Sequence, residues 1–194
     1  MNAHPIRATF LAALTLAAAS LSLLGLLLPG RWLPITLGVI LVVAAAMAAA
    51  RWLRAWLPGP VGLVAVLAYV TAACTPRTAL LWVVPTPASL KELGQQLLEA
   101  VDRLISEPPF GPNPEVFLPI LLLGFGLSAL VTVALAADLG CPALSGLIVV
   151  LPWVALAFIR PDEAFPAAAL SAVAYAVLLA LGGQRGGRAT RQTS

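Results

Sequence analysis

Charge is scarce in this chain. Of its 194 residues only 10% are charged, while 61% are hydrophobic. Soluble domains run near a quarter charged and about half apolar. Lysine is almost missing, with Lys91 standing alone, and His4 is the one histidine. Cysteine is limited to Cys74 and Cys141. Each scarcity excludes something. So little charge cannot cover a soluble globular surface. Two cysteines, each at the edge of an apolar segment, cannot build a disulfide framework or a metal cluster. One histidine in the N-terminal tail leaves no HExxH motif, and no phosphate-binding glycine loop is present. No catalytic, cofactor-binding or metal-ligating residue is therefore expected. The net charge of +3 does not argue for nucleic acid either. Arg185, Arg188 and Arg191 crowd the last ten residues and the other basic residues flank apolar runs, a pattern of topology determinants rather than of a phosphate-binding face.

What is present is apolar sequence in long runs. A hydrocarbon core about 30 Å thick needs about 20 such residues. Runs such as LVVAAAMAAA do not alternate as barrel strands do. The fold class is therefore all-α, a polytopic transmembrane helical bundle of about six spans. The spans are expected at about 8–28, 35–50, 61–75, 116–137, 143–159 and 165–181, within a helical domain covering 1–183. The tail 184–194 is basic and Gly-rich and is expected to be disordered. The first run is too long for a signal peptide and ends without a small-residue cleavage pattern. Trp32, Trp52 and Trp56, the last two interleaved with Arg51 and Arg54, suit the membrane–water interface. The third span either ends near Thr75 or continues, kinked, to Val84. In the fourth, Gly124 and Ser128 form a small-xxx-small pair suited to close helix approach. Pro152 should kink the fifth.

One long polar passage interrupts the apolar chain, from Pro85 to Pro114. Ser89 and Glu92 have the spacing of a capping box. Leu90, Leu93, Leu97, Val101 and Leu104 recur on one helical face, and Glu99 precedes Arg103 by four residues. Pro108-Pro109 ends the pattern. The result is an amphipathic helix over about 90–107, too polar to span and placed to roof the bundle. Its net acidity argues against an anionic-lipid helix, which is usually basic.

Six spans put both termini on one side. Among the short connections, six basic residues lie on that side and two on the other, so the positive-inside rule makes both termini cytoplasmic and the amphipathic helix external. Asp138 is then the one inner carboxylate, placed to cap its turn or the next helix. Arg77 could pair with Glu107 or Glu115 at the outer face, or snorkel there. Glu115 suits the start of the fourth span. Trp82 and Trp153 read as interface or packing aromatics. No intramembrane charged pair is evident.

The run LWVVPTPASLKELGQQLLEAVDRLISEPPFGPNP, the span ending Ala137-Asp138-Leu139 and the opening Cys141-Pro142-Ala143-Leu144-Ser145-Gly146-Leu147 resemble the N-terminal membrane domain of actinobacterial TgpA-type transglutaminase-like proteins. The resemblance is best from about Val61 to Pro161. It implies a multi-span domain of a bacterial cytoplasmic membrane, followed in the family by an extracytoplasmic transglutaminase-like domain with a Cys-His-Asp triad. It also implies a MoxR-type ATPase system as a neighbour. The heavy arginine and alanine usage suits a GC-rich bacterial genome. Such a triad needs a thiolate beside an imidazole. His4 is on the expected cytoplasmic tail, Cys74 near the outer face and Cys141 beside a cytoplasmic turn, so both cysteines read as packing residues. The expectation is a non-catalytic anchoring or scaffold domain, its partners being the bilayer and, through the resemblance, a transglutaminase-like domain or the ATPase system. The alternative is a small transporter or channel subunit.

Overall fold

The computed structural model describes residues 4–21, 31–54, 57–106, 114–139, 141 and 143–150, with scattered residues between 169 and 180. Among these the chain is all-helical. The elements are α1 (His4–Ser20), α2 (Trp32–Leu53), α3 (Pro58–Cys74), α4 (Pro87–Ser106), a 3-10 turn (Pro114–Phe117), α5 (Leu118–Val133) and a π turn (Ala134–Asp138). A further helix, α6, occupies 143–150. The ends of the first and fifth expected spans, nearly all of the sixth, and the tail 184–194 lie outside the described residues.

Proline marks where the helices begin. Pro58 opens α3, Pro87 opens α4 and Pro119 sits in the first turn of α5. A first-turn residue needs no amide hydrogen, and proline's fixed φ already suits the helix. α3 stops at Cys74: Thr75 donates its amide to Thr71 but takes φ −131, ψ 48, and Pro76 follows. This resolves the open question at the third span in favour of the earlier end.

α2 is the central helix and packs against α1, α3 and α5. Its buried side is Thr36, Val39, Ile40, Val43, Ala44, Met47 and Ala50, recurring at helical steps of three and four. Leu16 of α1, Val66 and Val70 of α3, and Leu122, Phe125 and Ala129 of α5 complete the core. In lipid, helices associate through close packing and small residues rather than through hydrophobic transfer. The small contact residues are specific. A Cβ on Gly126 would come within 2.9 Å of Val66, and one on Gly62 within 2.9 Å of Met47. Gly124, the expected contact glycine, instead faces open space. The reason is rotational: Leu122, Phe125, Gly126 and Ala129 set the inward face, and position 124 falls on the other side.

Among the described residues, two segments are long and apolar enough to cross a membrane: Trp32–Leu53, of 22 residues, and Glu115–Asp138, of 24. At 1.5 Å per residue these are about 33 Å and 36 Å long. Ile6–Ser20 and Pro58–Cys74 are shorter apolar helices. α4 packs at one end of the bundle, against α3, α5 and the 3-10 turn.

The cap of α4 lies three residues before the expected one. Thr86 is its N-cap: the Ser89 amide donates to the Thr86 hydroxyl at 3.1 Å, and the Thr86 amide donates to the Ser89 hydroxyl at 2.8 Å. Ser89 thus fills the reciprocal role that Glu or Gln takes in a capping box. The expected apolar face is also turned. Ser89, Leu93 and Ala100 are buried, with Leu97 partly so, while Leu90, Leu98 and Val101 are exposed.

Candidate functional site

The two ends of the bundle carry its polar chemistry. At one end, Arg51 in the last turn of α2 meets Asp138 at the end of the π turn. The Arg51 Nε donates to Asp138 Oδ1 at 2.8 Å. Arg51 Nη1 donates to the hydroxyl of Thr9 on α1. The clamp therefore joins α1, α2 and the end of α5. Its third nitrogen, Nη2, is buried and has no hydrogen-bond partner among the described residues.

The π turn explains how Asp138 gets there. A π turn holds more residues than an α turn and re-aims the side chains that follow. Leu139 donates its amide to Ala134 at 3.0 Å and Cys141 donates its amide to Leu135 at 2.8 Å, so the chain leaves the helix in a widened coil. Asp138 is thereby brought to Arg51, and the two form an interhelical ion pair at this end of the bundle. Sequence reasoning missed the pairing. The one signal available was that both residues fall at the same end when the connections are counted, where Asp138 is the lone carboxylate.

At the other end, α4 is fastened to α3. Gln96 donates its side-chain amide to the Cys74 carbonyl at 3.3 Å. The Thr78 hydroxyl donates to Glu92 at 2.7 Å, and the Thr86 hydroxyl donates to the Thr78 carbonyl at 2.8 Å. An open cleft lies between these elements, lined by Cys74, Gln96, Glu99, Glu115 and Leu118. Glu99 pairs with Arg103 at 2.9 Å, as its spacing predicts; both are largely exposed, which limits such a pair to a few tenths of a kcal/mol. Arg77 is exposed and pairs with no carboxylate among the described residues. Glu107 and Trp153 lie outside them.

Between α3 and α4 the chain makes a short finger. Leu80 and Val84 bond each other in both directions at 3.0 and 2.9 Å. Between them Leu81 and Trp82 both have positive φ, 51° and 66°, a conformation that costs a non-glycine residue roughly 1–2 kcal/mol. The turn turns both side chains outward, 82% and 75% exposed. Trp82 thus has the exposure of an interface aromatic. Trp32, expected at the interface, is buried. Cys74 is half-buried and Cys141 exposed, the first at the α4 end and the second close to Asp138.

Among the described residues the chain is an all-helical bundle with two helices long and apolar enough to cross a membrane and an amphipathic helix at one end. The chain matches the family model of the TgpA N-terminal domain over residues 14–194, and it belongs to that family. The match is to this N-terminal domain and not to a transglutaminase-like catalytic domain. The comparisons with curated proteins and with solved structures returned no match.

Proposed function

We propose that this chain is a non-catalytic membrane anchor and scaffold, embedded through six spans in a bacterial cytoplasmic membrane. In this reading both termini are cytoplasmic, the Arg51–Asp138 end faces the cytoplasm and α4 roofs the outer end. There it would hold a transglutaminase-like domain at the membrane, with a MoxR-type ATPase system as the further partner.

The observation that carries the reading is a belt of apolar side chains outside a core that is already filled. Phe10 and Leu14 on α1, Leu41 and Val42 on α2, Leu63 and Val64 on α3, and Leu127 and Val131 on α5 are all exposed. Soluble monomers rarely leave contiguous apolar surface of more than a few hundred Å² uncovered; lipid covers it without cost. α4 supports the same placement. Its inner stripe packs on the bundle, and its second stripe of Leu90, Leu98 and Val101 adjoins a face bearing Lys91, Glu99 and Asp102. A helix with two such faces lies in the interface plane.

Cysteine labelling in intact cells tests the orientation. With Cys74 and Cys141 replaced by alanine, an impermeant thiol reagent should modify Gln95→Cys and should spare a cysteine introduced within 184–194. Modification of the tail from outside reverses the topology, and release of the protein by alkaline carbonate removes the membrane reading altogether.

A further inference from the structure

We infer that the chain is two copies of one three-helix unit placed in opposite directions across the bundle: α1–α3, and the chain from 114 onward. The inference rests on a clasp that occurs twice. In the first hairpin, Tyr69 of α3 lies over Gly38 of α2 and donates its hydroxyl to the Ile35 carbonyl at 3.0 Å. A Cβ on Gly38 would stand 2.1 Å from that hydroxyl oxygen. In the second, Tyr175 lies over Gly146 of α6 and donates its hydroxyl to the Ala143 carbonyl at 2.7 Å. A Cβ on Gly146 would stand 2.4 Å from it. Each tyrosine reaches the carbonyl three residues before its glycine, across nearly equal separations of 34 and 32 residues.

The sequence carries the same duplication. Gly38-Val39-Ile40-Leu41-Val42-Val43 matches Gly146-Leu147-Ile148-Val149-Val150-Leu151 in kind at every position. Pro60 precedes Tyr69 by nine residues, and Pro166 precedes Tyr175 by nine. Alanine stands directly before each tyrosine, as Ala68 and Ala174. An arginine follows each glycine at a similar spacing, Arg51 thirteen residues after Gly38 and Arg160 fourteen after Gly146.

The direction follows from where the clasps sit. Ile35 and Gly38 are in the first turns of α2, at the end opposite Arg51. Ala143 and Gly146 are in the first turns of α6, which begins a few residues after Asp138 and so at the Arg51 end. One clasp therefore lies at each end of the bundle. Related units pointing in opposite directions form an inverted repeat, a recurrent way of building membrane bundles.

The symmetry assigns a partner to a residue outside the described set. Arg51, closing the first helix of its hairpin, binds Thr9 near the start of its own unit. Applied to the second unit, the symmetry puts position 160 opposite that unit's start, where the sequence has the carboxylate Glu115. The test is disulfide trapping in the full-length chain with Cys74 and Cys141 replaced by alanine. Glu115→Cys with Arg160→Cys should cross-link on oxidation, read as a single band after cleavage at a protease site placed at Gly140. Arg51→Cys with Asp138→Cys is the positive control. A control that closes while the 115/160 pair stays open overturns the repeat. If the cysteine pairs do not accumulate, the tyrosines decide instead. Tyr69→Phe and Tyr175→Phe should lower the melting temperature by similar amounts and additively, since the clasps are far apart. Loss from one alone overturns the inference.

Discussion

Removing Asp138 should destabilise the bundle more than removing Arg51. The Arg51 side chain is 9% exposed and that of Asp138 is 32% exposed. Asp138→Ala strands a guanidinium that is almost out of solvent and already has one nitrogen without a partner among the described residues. Arg51→Met strands a carboxylate that can still hydrate and keeps the aliphatic stem in place. Breaking a fully buried pair from one side costs about 3–5 kcal/mol. With one partner a third exposed, Asp138→Ala is expected near the lower bound of about 3 kcal/mol and Arg51→Met at roughly half of that. The double substitution should cost less than the sum, leaving a coupling of about 1.5–3 kcal/mol, the range for a charge-assisted bond. The assay is thermal unfolding of the four proteins in mild detergent. At about 2–4 °C per kcal/mol for a chain of this size, Asp138→Ala should lower the midpoint by roughly 6–12 °C. Strict additivity would show that the 2.8 Å contact contributes nothing. A larger loss from Arg51→Met than from Asp138→Ala would refute the argument from stranded charge.

Three other outcomes are expected. Gly38→Ala should lower the melting temperature, because the methyl meets the Tyr69 hydroxyl at 2.1 Å; overpacking of this kind costs about 1–3 kcal/mol, and adding Tyr69→Phe should restore part of it. Gly124→Ala, with nothing within 4 Å, should be neutral or raise stability by up to about 1 kcal/mol through helix propensity, in a melt run beside the first. Leu81→Asn with Trp82→Gly should raise the melting temperature in detergent, since Asn and Gly adopt positive φ at lower cost; a fall would mean that the two exposed side chains contribute more than their backbone strain removes.

How far these features were legible depended on the distance between the residues involved. Proline and apolar run length act locally, so the helical class, the amphipathic segment and the family resemblance could be read directly. The i,i+4 pair of Glu99 and Arg103 is local as well, and it forms. Which face of a helix turns inward is not local. Gly124 with Ser128 has the spacing of a contact pair, but Leu122, Phe125 and Ala129 pull position 126 into the interface instead. In α4 the expected stripe included Leu90 and Val101, yet Ser89 and Ala100 are the residues inside, because the helix is pinned at Thr86 and Gln96 and the pins set its rotation. The Arg51–Asp138 contact spans 87 residues and depends on a π turn, and no sequence pattern announces either. Trp32 shows the same limit: at a helix start in an apolar chain an aromatic ring suits the interface and the core equally well, and here it is buried.

The fastening of α4 has a mechanical meaning. Gln96, Glu92 and Thr86 tie it to the last turn of α3 and the segment just after it through three bonds distributed along more than two helical turns. A helix held at one point is a hinge, whereas a helix held at three is a bracket. A load applied to α4 from outside passes through Gln96 into the last turn of α3, and through Thr78 into the segment that follows it. The roof and the bundle should accordingly open together: amide exchange in the middle of α4 should follow that in the last turn of α3, and should not run ahead of it as a loosely docked surface helix would.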